Sequence, residues 1–301
     1  MKDALLLLSI LISLYAKGQD PAKQSLFKDL RMLSADDMEG RKSGEPGAEK
    51  ARNYLIDRYS DLGLKPLMDD YIHEFEIDET KGIKGDKGYN IIGYIEGSSE
   101  RQILLSAHYD HLGTKYGDIF NGSDDNASGV AAILAIAERL SDLNLTYTFV
   151  FAAFDAEEQG LLGARAYVDS EITNLDQVVL NINLDMVSKN DRNELYAAGS
   201  YHYPKTRPLI ENSFAACPVN VLLGHDRPEL GNNDWTNSSD HAPFHNKGIP
   251  FVYFGVEDHE DYHKITDTYD RTNFRFYSQV VDCLINFVID LDQSDLNGLN
   301  E

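Results

Sequence analysis

Cysteine is nearly absent: two in 301 residues cannot make a crosslinked framework, so the chain must be held by a packed core. Positive charge is scarce as well. Twenty-seven Lys and Arg face 50 Asp and Glu, a net charge of −23. Nucleic-acid partners need a basic footprint, so this balance argues against them and favours cationic ligands, metals among them. After residue 18 no stretch approaches the roughly 18 apolar residues of a membrane-spanning helix. Repeats, low-complexity tracts and linkers are also missing, so residues 19–301 read as one domain. A composition of 42% hydrophobic and 26% charged residues excludes wholesale disorder and collagen-like structure.

The N-terminus is different. Residues 1–18 read MKDALLLLSILISLYAKG, with Lys2 ahead of an apolar run from Ala4 to Tyr15. The run is too short to span a bilayer comfortably, and small residues precede Gln19. It reads as a signal peptide cut near Gly18–Gln19, with an uncut anchor as the alternative. The mature chain is then expected to be exported, periplasmic or extracellular, with no membrane segment. Export permits disulfides. Cys217 and Cys283 can pair or remain two buried thiols.

The body alternates helical and strand patterns. Helices are expected around residues 20–37 and 48–62, stopped by Gly63, and over 129–140, 161–170 and 273–291. Apolar strands are expected at 89–95, 102–110, 146–156, 177–188 and 248–256. Near-continuous apolar strands between helices argue for an α/β sandwich with a mostly parallel central sheet.

Four of these strands end in metal-compatible residues. One ends in His108-Tyr109-Asp110-His111, one leads into Asp155-Ala156-Glu157-Glu158, one ends at Asp185, and one leads through a loop to His263. Ligands in open α/β sheets bind beyond the carboxyl ends of the strands. Asp124-Asp125-Asn126 lies in a turn before the third helix. Taken singly, each has a plainer reading: His108 as a satisfied core histidine, Asp125 as a turn former or cap, the glutamates as solvated charges. Asp185 resists this, because a carboxylate buried after VVLNINL needs a cation or several donors. A shared cationic centre would neutralise all of them together. Mixed His and carboxylate ligands suit zinc better than calcium. Three carboxylates and two histidines fit two ions sharing one carboxylate, and one of the paired glutamates is left over as a general base.

The motifs SAHYDH (106–111), GSDDNASGV (122–130), FDAEEQGLLGARAY (154–167), NLDMV (183–187), SDHAPF (239–244) and YHKITDT (262–268) resemble the bacterial leucyl-aminopeptidase type of zinc exopeptidase. That family lies in the MH clan of metallopeptidases, which also includes glutaminyl cyclases. EGRKSGEPG (39–47) and GLKP (63–66) resemble its N-terminal part. The resemblance implies a three-layer α/β/α sandwich with a mixed, mostly parallel sheet. It implies a secreted metallo-exopeptidase with two Zn²⁺ ions, acting on peptides with a free N-terminus through a metal-activated water. His108 and Asp185 would hold one ion, Glu158 and His263 the other, and Asp125 would bridge them. Glu157 would be the general base. Asp110 would accept a hydrogen bond from the His108 ring, and Tyr262 would stabilise the oxyanion. The bond Asp125–Asn126 would be cis. Asp240 and His241 form a substrate-side motif without a fixed role. His111, His225, His245 and His259 receive none and default to the surface. The pocket walls are expected from loops 114–123, 199–207 and 223–238. Alternatives are a glutaminyl-peptide cyclotransferase with one zinc, a carboxypeptidase-like relative, and a non-catalytic binder, which would be expected to have lost Glu157 or a ligand.

Overall fold

The computed structural model describes residues 21–77 and 87–300. The signal-peptide reading of residues 1–18 falls outside them. The described strands in chain order are β1 (Lys65–Pro66), β2 (Ile72–Glu76), β3 (Lys87–Ile95), β4 (Gln102–His108), β5 (Gly113–Lys115) and β6 (Asp118–Phe120). They continue as β7 (Thr148–Phe154), β8 (Val178–Leu184), β9 (Glu194–Ala198), β10 (Asn220–Leu223) and β11 (Phe251–Gly255). The helices are α1 (Pro21–Leu33), α2 (Pro46–Asp61), α3 (Gly129–Leu140), α4 (Leu162–Asp169), α5 (Thr206–Ser213), α6 (His241–Asn246) and α7 (Phe274–Asp292).

Nine strands form one sheet in the order β1-β3-β7-β4-β8-β11-β9-β10, with β2 also paired to β3. The central run β7-β4-β8-β11 is parallel throughout. Antiparallel pairs lie outside it: β3 on β7, β1 and β2 on β3, and β9 on β11. β5 and β6 make a separate hairpin.

Alternate strand residues serve opposite faces. Ile103, Leu105 and Ala107 join a core with residues of α1, α2, α3, α5 and α7, while Leu104 joins one with α4 and α6. Both faces are covered, which is why the central strands are mostly apolar on both sides and their few polar residues are buried. This is the three-layer arrangement. Helix α3 is buried from Gly129 to Ala137, as its nearly all-apolar sequence requires. Burying a side chain such as Leu134 is worth about 1.5–3 kcal/mol. Helix α2 stops where expected. Gly63 adopts φ +70°, its N–H bonds Ser60 O, and Leu64 N–H bonds Tyr59 O, a left-handed cap that glycine enters without penalty.

Cys217, after α5, is disulfide-bonded to Cys283 on α7, which decides between the two states left open by the sequence. The short strands β1, β9 and β10 and the hairpin gave no pattern in the sequence. ELYAA and NVLL are too brief and mixed for a period to show.

Candidate metal centre

Parallel pairing brings the strand ends into line. His108 lies opposite Phe154 of β7, and Ser106 opposite Asn183 of β8. The residues just beyond these strands therefore emerge along one edge: His108 and Asp110 from β4, Glu157 and Glu158 after β7, and Asp185 after β8. Hydroxyl and amide groups inside the sheet help hold this edge. Ser106 Oγ donates to Asn183 Oδ1 (2.7 Å), and Asn183 Nδ2 donates to Ser239 Oγ (2.9 Å), at the start of α6.

Asp125 reaches the edge from the turn 123–128, whose Asp125–Asn126 bond is cis. Asn126 stitches this turn to β8: its Nδ2 donates to Leu184 O (2.9 Å), and its Oδ1 accepts from Gly129 N (2.9 Å). Asp267 accepts from the backbone N–H groups of Asp124 (2.9 Å) and Asp125 (3.1 Å). Beneath lies Arg41, fully buried, donating to the carbonyls of Leu33, Tyr109, Asn121 and Gly122 at 2.5–2.8 Å. Its guanidinium thus fixes the chain after His108 and the chain before Asp125 with one group. Burial lowers its pKa to about 10, against the pull of Asp125, Asp267, Asp110 and Glu158.

Two groups of ligand atoms form, each within 4.8 Å, and they share Asp125. In the first, His108 Nε2 lies 3.3 Å from Asp125 Oδ1 and 3.4 Å from Asp185 Oδ1. The second joins Asp125, Glu158 and His111. His263 also faces this pair, its Nε2 3.1 Å from Asp125 Oδ2 and 3.4 Å from Glu158 Oε2. All five residues expected as ligands therefore converge. Ala156, Met186 and His263 have φ of +55° to +58°, a left-handed conformation that non-glycine residues hold mainly where surroundings dictate it.

The electrostatics follow from this crowding. Burial disfavours the Asp125 and Glu158 charges, but the facing imidazoles outweigh it and hold both carboxyls low. The same contacts push His263 up to about 10. Glu157 goes the other way. Burial, joined by Asp240, Asp185 and Asp110, raises it well above the usual carboxylate range against the opposing pull of His108. Asp240 is also raised well above that range by burial, and neither of its oxygens has a hydrogen-bond partner among the described residues.

His108, Asp125, Glu157, Glu158, Asp185 and His263 line a cavity of about 420 Å³. Its outer wall comes from Met186, Tyr253, Val256, Tyr262 and the segment 225–238, where the rings of His225 and Trp235 stack 3.7 Å apart. Tyr262 lies against the His263 ring, 4.0 Å between centroids.

Three expectations need correction. The Asp110 carboxylate is 3.7 Å from His108 Nδ1, too far for a hydrogen bond, and the ring meets the Asp110 main-chain carbonyl at 3.2 Å instead. The carboxylate, still beside the ring, accepts the N–H groups of Glu157 (3.0 Å) and Glu158 (3.3 Å), which closes the turn after β7. Of the three expected wall loops, only 223–238 lines the cavity, because 114–123 folds back as the β5–β6 hairpin and 199–207 packs on the β11 side. His111, expected at the surface, is fully buried, and no spacing rule separated it from its neighbours.

Residues 90–288 match the family model described as Peptidase family M28. "Leucine aminopeptidase 2" of Trichophyton equinum is 31% identical over 169 residues, 54% of this chain and 32% of its own length. The match thus spans about a third of that relative. Two solved structures share the fold at 18% identity. A zinc aminopeptidase from Bacillus subtilis gives a TM-score of 0.74 over 89% of this chain and 95% of its own. The glutaminyl cyclase of Porphyromonas gingivalis gives 0.72 over 89% and 98%.

Proposed function

Because this chain belongs to Peptidase family M28, we propose that it is an exported aminopeptidase with two zinc ions, removing N-terminal residues from peptides. The observation that carries the proposal is the sharing of Asp125 by two ligand groups at the ends of parallel strands. The donor set fits zinc. It mixes imidazole nitrogen with carboxylate oxygen, and its buried carboxylates outnumber the cations available to them. His108 and Asp185 would hold one ion, Glu158 and His263 the other, with Asp125 common to both. Zinc supplies Lewis acidity there, polarising the scissile carbonyl and making a water nucleophilic near neutral pH.

The chain's own residues do the rest. Glu157 lines the cavity and takes a proton from the attacking water as oxygen bonds to the carbonyl carbon. It passes that proton to the leaving amine nitrogen as the C–N bond breaks, giving a free amino acid and a shortened peptide. Asp110 fixes the Glu157 backbone. Tyr262, held against His263, presents its hydroxyl to the developing oxyanion. The acidic cavity favours a substrate α-ammonium, hence cleavage at a free N-terminus.

Glutaminyl-peptide cyclisation with one zinc is the second reading, favoured by the shared fold with the P. gingivalis enzyme. One experiment separates the two. Zinc content is measured on purified protein, which is then assayed on leucyl-, methionyl- and alanyl-anilides beside N-terminal glutaminyl peptides. Two zinc equivalents and anilide hydrolysis support the proposal. One equivalent with cyclisation alone refutes it.

A further inference from the structure

His111 has no task in the mechanism above, yet it is fully buried beside Glu158 and Asp125. Its nitrogens have unlike surroundings. Nδ1 lies 2.8 Å from Glu158 Oε1 and 3.6 Å from Asp125 Oδ2. Nε2 is buried and meets no hydrogen-bond partner among the described residues.

The two nitrogens cannot be exchanged. Ligation of an ion through Nδ1 would put the ring hydrogen on Nε2, a buried donor with no acceptor. With the hydrogen on Nδ1, the ring donates to a carboxylate and only a lone pair is left unmet. The residue is also fixed at its backbone: the main-chain N–H of His111 donates to the Arg41 carbonyl (3.2 Å). Gly122 clears its other side, since a Cβ there would fall 2.5 Å from the His111 Cδ2.

Glu158 needs such a neighbour. The last torsion of a glutamate is broad, so nothing within the side chain decides which oxygen faces an ion. We propose that His111 is a positioning residue: its Nδ1–H donates to Glu158 Oε1 and leaves Oε2 turned towards His263. This rests on the reading of Glu158 as a ligand. The carboxylate is then presented through one oxygen, in the orientation the second ion requires. Partners of this kind typically change metal affinity by roughly 10–100-fold.

The test compares His111→Ala, His111→Asn and His111→Gln. Asparagine places its amide N–H where Nδ1 stands, whereas glutamine extends its amide towards the Nε2 position. Stepwise zinc affinities are measured by competition with a chromophoric chelator, and melting of the metal-free proteins reports any structural effect. His111→Ala should lose roughly 10–100-fold in affinity for one zinc equivalent and His111→Gln a similar amount, with His111→Asn staying close to wild type. The Co²⁺ absorption envelope of His111→Asn should match wild type, because no ligand has been removed. Unchanged affinity in His111→Ala would overturn the proposal. So would His111→Asn as weak as His111→Ala, which would make the ring a ligand. If His111→Ala does not fold, the Asn and Gln variants decide by the same criterion. Wild-type stoichiometry tests the reading of the site, and the Asn–Ala difference tests His111, so the two failures are distinguishable.

Discussion

The two halves of the centre are built differently. On the His108 side, all three candidate ligands are nearly sealed, with side chains 2% (His108), 5% (Asp125) and 11% (Asp185) exposed. They stand at strand ends or in a turn stitched to a strand. On the other side Glu158 is 8% exposed, but His263 is 39% exposed and stands in the loop after β11. That loop is tied by carboxylates instead. Asp261 takes Lys189 and Arg271, Asp267 takes the turn at Asp124 and Asp125, and His259 Nε2 meets Asp124 Oδ2 at 2.9 Å. A sheet gives its ligands precision for nothing beyond the register. A loop needs added contacts to reach the same end, and each contact is a place where it can be loosened.

Asp125 is where the halves meet, so its removal gives the largest effect. Asp125→Ala should lose both zinc equivalents and all measurable hydrolysis, whereas His263→Ala should lose one equivalent and keep the other. Metal analysis after gel filtration checks this. An Asp125→Ala protein that kept one ion tightly would show that the halves are independent.

The adjacent glutamates sharpen the contrast between holding an ion and moving a proton. Glu157→Gln keeps the shape but cannot accept a proton. Its kcat should fall by roughly 10²–10⁴ with zinc content unchanged. Glu158→Ala should instead lose an equivalent. Near-wild-type kcat in Glu157→Gln would remove the base from the mechanism. If Glu157→Gln lost zinc and Glu158→Ala kept both equivalents, the two roles would be exchanged.

The same division decides what was legible in the sequence. Strand-end residues could be read because the apolar runs before them mark burial, and a carboxylate after such a run needs a reason to be there. VVLNINL ahead of Asp185 is the clearest case. Asp110 was read as the partner of the His108 ring, but the direction a side chain turns at a strand end is set by the next loop, here the N–H groups of Glu157 and Glu158. His111 was missed because burial beyond a strand depends on Arg41 and Gly122, which no periodicity links to it. The cavity wall at His225 and Trp235 and the strands β9 and β10 were unreadable for a related reason: short, mixed segments take their structure from what they pack against.

Arg41 tests how far the sheet side depends on its support. Arg41→Met fills similar space but leaves four carbonyls without their donor. An unmet buried polar group costs about 1–3 kcal/mol, and some relaxation is expected, so a loss of about 3 kcal/mol or more in unfolding free energy should follow. Urea unfolding of the metal-free protein measures it. A loss under about 1 kcal/mol would mean that the turn and the β4 exit hold themselves in place, as an ordinary surface site does.

The smallest effect is expected from the loop. Asp261 adjoins Tyr262 and His263, and it is buried against Lys189 and Arg271. Asp261→Asn keeps the shape and can still accept from Thr266 Oγ1, which now donates to Asp261 Oδ1 at 2.5 Å. It loses the charge that draws in the two cations. The His263 loop should then hold its position less firmly while the strand-end ligands stay where they are. Affinity for the more weakly held zinc should drop about tenfold, the lower end of what supporting residues are worth, and affinity for the other should not change. Competition with a chelator resolves the two steps. Equal weakening of both ions would show that the loop and the strand ends act as one unit. No weakening of either would show that Asp267 and His259 suffice to seat the loop and that Asp261 only satisfies Lys189 and Arg271.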